Sequence, residues 1–363
     1  MESLKNTPLL SRHQQMKALL APFGGWNMPI QYEGIIAEHK WCRQKASLFD
    51  ICHMGEFLFQ GDIEASGLEN VFTFSVKSIP VGRSRYGFLL NENGGIIDDL
   101  IVFRLAEDAV MIVVNAATID NDFSVIQSRL KPGGVFSNTS ADTGKLDIQG
   151  PLSRDVLVQA FGPEIGKIPY FKFIRMNILG VEAIVSRTGY TGELGYEIFL
   201  PAQKVVELWD LLLGDERVKP AGLGARDVLR LEVGYSLYGS DIDEVTTPLE
   251  AGLGAFVNFD KQFVGREALL KQQQTGLTKA KAAFQVSSRR APRHHYEICS
   301  EGAAVGTVTS GVFSPMLGCG VGIGFVKPAV ATVGAPLTIR HDNVSMEATV
   351  VELPFYKGGS LRS

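Results

Sequence analysis

Two adjacent carboxylates, Asp98 and Asp99, stand inside an otherwise apolar run, and they constrain this chain more than any other feature. The stretch from Tyr86 to Phe103 reads YGFLLNENGGIIDDLIVF. Two β-prone runs flank a loop of Asn and Gly, which predicts a β-hairpin. Side chains alternate across a strand, so the two carboxylates point to opposite faces. Asp99 shares its face with Ile97, Ile101 and Phe103; Asp98 shares the other with Ile96, Leu100 and Val102. Both faces are apolar, so the strand is expected to be covered on both sides. A carboxylate placed there loses its hydration and needs donors of its own or a ligand that requires it. A four-residue loop from Asn91 to Gly94 sets Tyr86 directly opposite Asp99, and a five-residue loop shifts the pairing by one. In either register Tyr86 comes near the acids. A buried Asp satisfied by backbone donors and a functional acid both stay open on this strand alone.

The 363 residues suffice for two or three domains and a sizeable core. With 45% hydrophobic and 20% charged residues, the balance is that of a soluble globular chain rather than a disordered one. A net charge of −4 offers no basic excess to neutralise phosphates, so no nucleic-acid partner is expected. Cys42, Cys52, Cys299 and Cys319 are too scattered for a disulfide framework, which fits a reducing, cytoplasmic setting. The opening MESLKNTPLLSRHQQMKALL lacks the apolar run of a signal peptide. No stretch approaches the ~20 apolar residues of a membrane span, so no membrane association is expected.

Along the chain, Thr7 to Leu20 reads as a loop and a helix with Ser11 as its N-cap. Gly24 to Gly34 is turn-rich, and Ile35 to Lys45 is helical. Asp62 is expected to cap a helix running through Phe72 to Val76. Ala109 to Asn115 is a buried strand, with Asn115 at its end, where a polar side chain can reach a ligand or simply form a turn. Ala117 to Leu130 is a helix, Lys145 to Gln149 a strand and Pro151 to Ala160 a helix. VEAIVSRTGYTGELGYEIFL, Val181 to Leu200, reads as two strands around Gly189 to Gly195. Glu197 in the second is a further candidate buried acid, or an edge-strand Glu facing water. Lys204 to Leu213 is an amphipathic helix. AGLGARDVLRLEVGY, Ala221 to Tyr235, opens with a glycine turn and continues as a helix. Arg226 and Arg230 share a face there, with Glu232 and Asp227 available to neutralise them, and an Arg at a helix start also suits a carboxylate. Lys271 to Lys281 is polar and reads as a linker, beyond which Gly-rich, β-prone sequence implies a small barrel or sandwich.

Familiar motifs fail. GLGARD puts Asp227 where a dinucleotide fingerprint needs its last glycine, and no phosphate-cradling GxxxxGK[ST] occurs. His39, Cys42, Cys52 and His53 have no metal-site spacing, so no metal is expected. Arg289, Arg290, Arg293, His294 and His295 read as a solvated basic loop.

In order along the chain, GGWNMPIQYEGIIAEHKWCRQKASLFDICHMGE, NENGGIIDDLIV, VVNA, RTGYTGELGYEI, GLGARDVLRLEVGYSLYGSDID, TTPLEAGL, FVGREAL and GTVTSGVFSPMLGCGVGIGFV resemble the aminomethyltransferase (T protein) family of the glycine cleavage system. The resemblance covers nearly the whole chain. It implies an α+β, three-domain cloverleaf: two folate-binding α/β-sheet subdomains and a C-terminal β-barrel-like domain. The folate-binding region would span 1–275, as interleaved subdomains of roughly 1–50 with 140–225 and 51–139 with 226–275, and the barrel 280–363. It implies transfer of the methylene carbon from an aminomethyl-lipoyl H protein to tetrahydrofolate, the co-substrate, with release of ammonia. The lipoylated H protein is then the partner, and other glycine cleavage components are transient ones.

By the same resemblance Asp99, rather than Asp98, is the catalytic acid. Tyr86, Asn115, Tyr190, Glu197 and Arg226 are the folate-binding residues. Glu197 would pair with the donor-rich pterin edge and Arg226 with the anionic glutamate tail. Cys52 stands where many relatives carry Ser, Arg83 and Arg85 add charge before Tyr86, and LGAFVNFDKQ lacks a Trp found in relatives. Lys40, Arg43 and Lys45 form a basic cluster that could meet an acidic carrier or simply face water. Lys357 and Arg362 are further basic groups near the chain's end. The alternative is another folate-binding member of the superfamily, serving iron–sulfur assembly or demethylation.

Overall fold

Three sheets, each with its own apolar cluster, organise the chain. The structure, a computed structural model, describes residues 4–361, so Arg362 lies outside the described residues. From the N-terminus come α1 (Leu10–Gln15), a hairpin of β1 (Leu19–Phe23) and β2 (Trp26–Gln31), α2 (Ile35–Gln44), and β3 (Ala46–Asp50). Then follow β4 (Gly55–Gly61), β5 (Ser84–Leu90), β6 (Ile96–Ala106), β7 (Ala109–Val114), α3 (Ile119–Arg129) and β8 (Gly134–Asn138). Next are β9 (Thr143–Gln149), α4 (Ser153–Phe161), β10 (Phe173–Ile178), β11 (Val181–Ser186), β12 (Gly195–Pro201), α5 (Val205–Leu213), β13 (Val218–Pro220) and α6 (Leu223–Glu232). After α7 (Arg266–Thr275) the last strands are β14 (Ala280–Val286), β15 (Glu297–Ser300), β16 (Ala303–Ser314), β17 (Cys319–Val326), β18 (Pro336–His341) and β19 (Val344–Val350).

A six-stranded sheet runs β10-β11-β12-β9-β3-β13, and a five-stranded one runs β5-β6-β7-β4-β8. The last six strands close into a barrel, β14-β17-β16-β15-β18-β19. Closure removes exposed edges, which the Gly-rich strands Gly306 to Val326 permit. The architecture is α+β with a C-terminal barrel, and among the described residues no helix is long and apolar enough to cross a membrane.

The two sheets meet face to face. Phe103, Met111 and Val113 of the five-stranded sheet pack with Phe173 and Phe199 of the six-stranded sheet. The Phe103 and Phe199 rings are 5.4 Å apart, edge to face. The opposite face of the five-stranded sheet holds Leu100, Val102, Ile112 and Val114 against Ile119 and Ile126 of α3. The strand carrying the two acids is therefore covered on both sides, as its apolar alternation requires.

The acid-bearing hairpin has a five-residue loop and a bulge. Asn91 accepts the Asn93 and Gly95 N–H groups at 3.0 Å each, closing the loop, and Leu90 pairs with Ile96. The register slips between Leu89 and Leu90, so Phe88 faces Asp99 and Tyr86 faces Ile101. Neither simple register anticipated this extra residue.

Other local expectations are corrected. Gly24 and Gly25 both take positive φ (54° and 84°), which makes their stretch the tight turn of the β1–β2 hairpin. The α1 helix starts before Ser11, and no side chain caps it. Asp62 does accept the Glu64 and Ala65 N–H groups at 2.8 and 3.0 Å, but only a 3₁₀ turn, Leu68–Asn70, follows. Phe72, Phe74 and Val76 are all buried, and Phe72 bridges Leu89, but beyond that bridge the chain is a series of bends and turns rather than a helix. The first part of the expected linker, Lys271 to Thr275, is the end of helix α7, whose Leu269 packs near Phe88 and Ile96, and its last residues open β14.

Candidate active site at the seam of the two sheets

Stepping back along β6 from Phe103 and along β12 from Phe199, on the faces that meet, leads to Asp99 and Glu197. The pleat therefore presents both acids to one seam. Around each, neighbouring elements supply polar partners.

At the β6 end, Tyr86 lies diagonally across the strand pair from Asp99, on the same face. Its hydroxyl donates to Asp99 Oδ2 at 2.9 Å. Asn115, just past the end of β7, donates from its amide to Asp99 Oδ1 at 2.8 Å. The same amide nitrogen lies 2.8 Å from Asp98 Oδ1, and the Asn115 backbone N–H donates to Asp98 Oδ2 at 2.9 Å. Burial pushes the Asp99 carboxyl up to about 7; the charge of Asp98 adds to this, while Tyr86 and Asn115 oppose it. Asp99 is thus an acid poised near neutrality, with donors in place for its ionised form. Phe256 packs edge-on against Tyr86 at 4.8 Å and supplies an aromatic wall on this side of the seam.

At the β12 end the site is a cluster of opposite charges. Glu197 sits across from Asp147 of β9, carboxylate beside carboxylate. Lys145, two residues before Asp147, reaches Glu197 Oε1 at 3.2 Å, with both side chains almost fully enclosed. Thr188 also donates to Glu197. Burial opposes ionisation of Glu197, but Lys145 and Thr188 outweigh it and hold the carboxyl below its ordinary range. Arg226, in the first turns of α6, is ion-paired with Asp147. Its guanidinium lies over the Tyr190 ring at 5.2 Å. The Tyr190 hydroxyl donates to the Ser236 carbonyl. The placement of α6 is set from its start: Glu38 of α2 accepts the Gly222 N–H at 2.8 Å and the Tyr32, Glu33 and Gly34 N–H groups with its other oxygen. One carboxylate so ties two helix starts together.

All six residues singled out from the sequence lie in this region: Tyr86 and Asn115 each bonded to Asp99, and Tyr190, Arg226 and Glu197 around the charge cluster. Sequence reasoning missed Lys145, Asp147 and Glu56. The signal was present in TGKLDIQG, where charged residues alternate along a strand whose other residues are apolar. Glu56, on β4, is buried, and its Oε1 has no hydrogen-bond partner. Burial pushes its carboxyl up to about 8, against the attraction of Lys145.

Two assignments change. Glu232 does not neutralise Arg226 or Arg230; it takes Arg43 at 2.7 Å and His39 at 2.8 Å, while Arg230 is held by Asp227 and Asp241 at 2.7 Å each. Arg43 is consequently buried and leaves the basic cluster with Lys40 and Lys45, which stay exposed. Lys357 is exposed too. Among the described residues no group of His, Cys, Asp and Glu is arranged to hold a metal ion.

Comparison with known proteins adds the following. Residues 9–261 match the family described as the GCVT N-terminal domain, and residues 279–357 match the glycine cleavage T-protein C-terminal barrel domain. The aminomethyltransferase of Halothermothrix orenii is 43% identical, covering 97% of this chain and 100% of that protein. The aminomethyltransferase of a Thermotoga species is 42% identical, covering 99% and 100%. Among solved structures, the glycine cleavage system aminomethyltransferase T of Bartonella henselae superposes with a TM-score of 0.93 at 34% identity, covering 99% of both chains.

Proposed function

The chain belongs to the glycine cleavage T-protein family and is an aminomethyltransferase; we propose that it transfers the methylene carbon of an aminomethyl-lipoyl H protein to tetrahydrofolate at the seam holding Asp99 and Glu197. The observation that carries this is that facing strands present two acids to one seam, Asp99 held by Tyr86 and Asn115 and Glu197 held by Lys145 and Thr188.

The two acids suit different tasks. Glu197, anionic and fixed by Lys145, is an acceptor for two N–H groups of a pterin edge. Arg226 and Tyr190 border it, where the rest of the folate would lie. In this reading the Arg226 charge is committed first to Asp147 and serves the glutamate tail with what remains. Asp99 would orient the folate amine and stabilise positive charge as it develops on nitrogen and carbon. Tyr86 and Asn115 hold the carboxylate in place for that. The balance is simple. Two C–N bonds form to the carbon as its bonds to sulfur and to nitrogen break. The two folate N–H protons end on ammonia and on the dihydrolipoyl thiol.

The same reading divides the chain into a folate-binding region over 1–275, in two interleaved parts, and a barrel over 280–363; the separate apolar clusters of the three sheets support it. It also takes the setting to be cytoplasmic. The test is release of ammonia and methylenetetrahydrofolate from aminomethylated H protein. Release that needs tetrahydrofolate and is lost in Asp99→Ala supports the proposal. Folate binding without release in the native protein would move the chain to the non-transferase folate binders.

A further inference from the structure

Past β19 the chain leaves the barrel and returns, over residues 351–361, to the loop that carries Tyr190. Contacts fix this tail step by step. The Tyr356 N–H donates to the Glu232 carbonyl, at the end of α6, at 2.8 Å, and the Arg43 guanidinium lies over the Tyr356 ring at 4.6 Å. Gly359 approaches the loop so closely that a Cβ on it would lie 2.3 Å from the Gly192 carbonyl oxygen. The Ser360 N–H donates to Glu193 Oε2 at 2.8 Å, and its hydroxyl donates to the same oxygen. That hydroxyl also accepts the Leu194 N–H at 3.0 Å. The Leu361 carbonyl accepts from Arg187 at 3.2 Å. The tail therefore grips the loop at both ends, Arg187 on one side and Glu193 with Leu194 on the other.

A loop of this composition needs such support. Gly189, Gly192 and Gly195 give it a backbone with much freedom to lose, and Gly192 sits at a φ of 76°. Where a neighbour has already removed that freedom, ordering the loop no longer opposes ligand binding. Glu193 is the anchor. Its side chain is 2% exposed; Arg43 takes Oε1 at 2.7 Å, and the tail takes Oε2. The same stretch carries Thr188, which donates to Glu197, and Tyr190, whose ring lies under Arg226.

We propose that residues 356–361 are a strap that preorganises the 187–195 loop for the pterin, with Ser360 as the positioning residue that sets it through Glu193 and Leu194. The proposal rests on the reading of Glu197 and Tyr190 as part of a folate site.

The test uses the full-length protein. Ser360→Ala removes the hydroxyl and leaves the backbone N–H in place. The KM for tetrahydrofolate should rise roughly three- to tenfold, while kcat and the KM for aminomethylated H protein change by about twofold at most. Ser360→Thr keeps the hydroxyl and should restore the KM. A tetrahydrofolate KM unchanged in Ser360→Ala overturns the strap, and so does a fall in kcat alone, which is what general loosening of the fold produces. Hydrogen exchange of the native protein adds a readout that needs no variant. Saturating tetrahydrofolate should slow exchange in the 187–195 loop and at Tyr356 and Ser360 together. Protection of the loop without the tail overturns the proposal. If the native protein binds no tetrahydrofolate, the folate reading fails, and the Leu194 amide still judges the strap's hold on the loop. Without ligand it should exchange faster in Ser360→Ala than in the native protein; an equal rate shows that the tail does not hold the loop.

Discussion

Tyr86 donates its hydroxyl to Asp99 at 2.9 Å although the two are not cross-strand partners; the bulge beside Leu89 makes them diagonal neighbours on one face. A donor to the ionised form favours that form, so Tyr86 works against the burial that pushes Asp99 up to about 7. In Tyr86→Phe the carboxyl should titrate higher, and the acid limb of kcat should move up. A hydrogen bond to a charged group contributes about 1.5–3 kcal/mol, so kcat near neutrality should fall roughly tenfold or more. The ring keeps its packing on Phe88 and Phe256, at 5.4 and 4.8 Å, so thermal stability should change little. A limb that moves down in this variant would contradict the assignment.

Asp99 also destabilises the fold at working pH. Its folded value, about 7, lies above the ~3.9 of an unfolded Asp, so the folded chain holds this proton more tightly. That contribution is full below pH 4 and is lost as pH rises from 4 through 7. Asp99→Asn has no such loss. At pH 8 it should be more stable than the native protein, by on the order of 1–3 kcal/mol after allowing for the partial exposure of Asp99. At pH 4 the gain should vanish. Urea unfolding at the two pH values measures this; a variant less stable at pH 8 would show that the acid is fully compensated.

The residues that the sequence made legible are those where one strong local signal decided the outcome. An acid inside an apolar strand has few places to go, so Asp98, Asp99 and Glu197 stood out as candidates, as did the barrel with its Gly-rich strands; the choice of Asp99 over Asp98 came from the family resemblance. Lys145 and Asp147 did not, because their charges cancel only across strands: Asp147 meets Glu197 in register, and the compensating cations come from β9 and α6. The bulge that aligns Tyr86 with Asp99 was equally hidden, since it depends on how Asn91 closes the loop. Asp62 gave a true N–H cap without a helix behind it, because Phe72, Phe74 and Val76 gain more from burial in the sheet's core.

The glycines of RTGYTGELGY have a steric role that a substitution can expose. Gln149 lies between Gly189 and Gly195, and a Cβ on either would collide with its side-chain amide. That amide donates to Asp147 at 2.5 Å and to the Thr188 carbonyl at 3.0 Å, and accepts from Thr191 at 2.6 Å. Gly195→Ala should displace Gln149 and strand these buried groups, costing about 2–4 kcal/mol. Adding Gln149→Ala opens the space again, so the double variant should lose less than the sum of the singles. Additive losses in thermal unfolding would show that the clash lies elsewhere.

Glu197 and Lys145 offer the sharpest separation of binding from folding. Glu197→Gln keeps the shape but replaces an anion that can accept two N–H groups by an amide. Two charge-assisted hydrogen bonds would weaken, at about 3 kcal/mol together, so the KM for tetrahydrofolate should rise roughly a hundredfold with a smaller change in kcat. The same variant leaves Lys145, whose side chain is 2% exposed, without its counter-ion. A buried charge that has lost its partner is strongly destabilising, so the melting temperature should fall. Lys145→Met in the Glu197→Gln background removes that charge and lets the chain pack against Phe199, which Lys145 already overlies at 4.8 Å. Stability should then recover while tetrahydrofolate binding stays weak. If binding recovers together with stability, Glu197 serves the fold, and the pterin must be recognised by other groups along the seam.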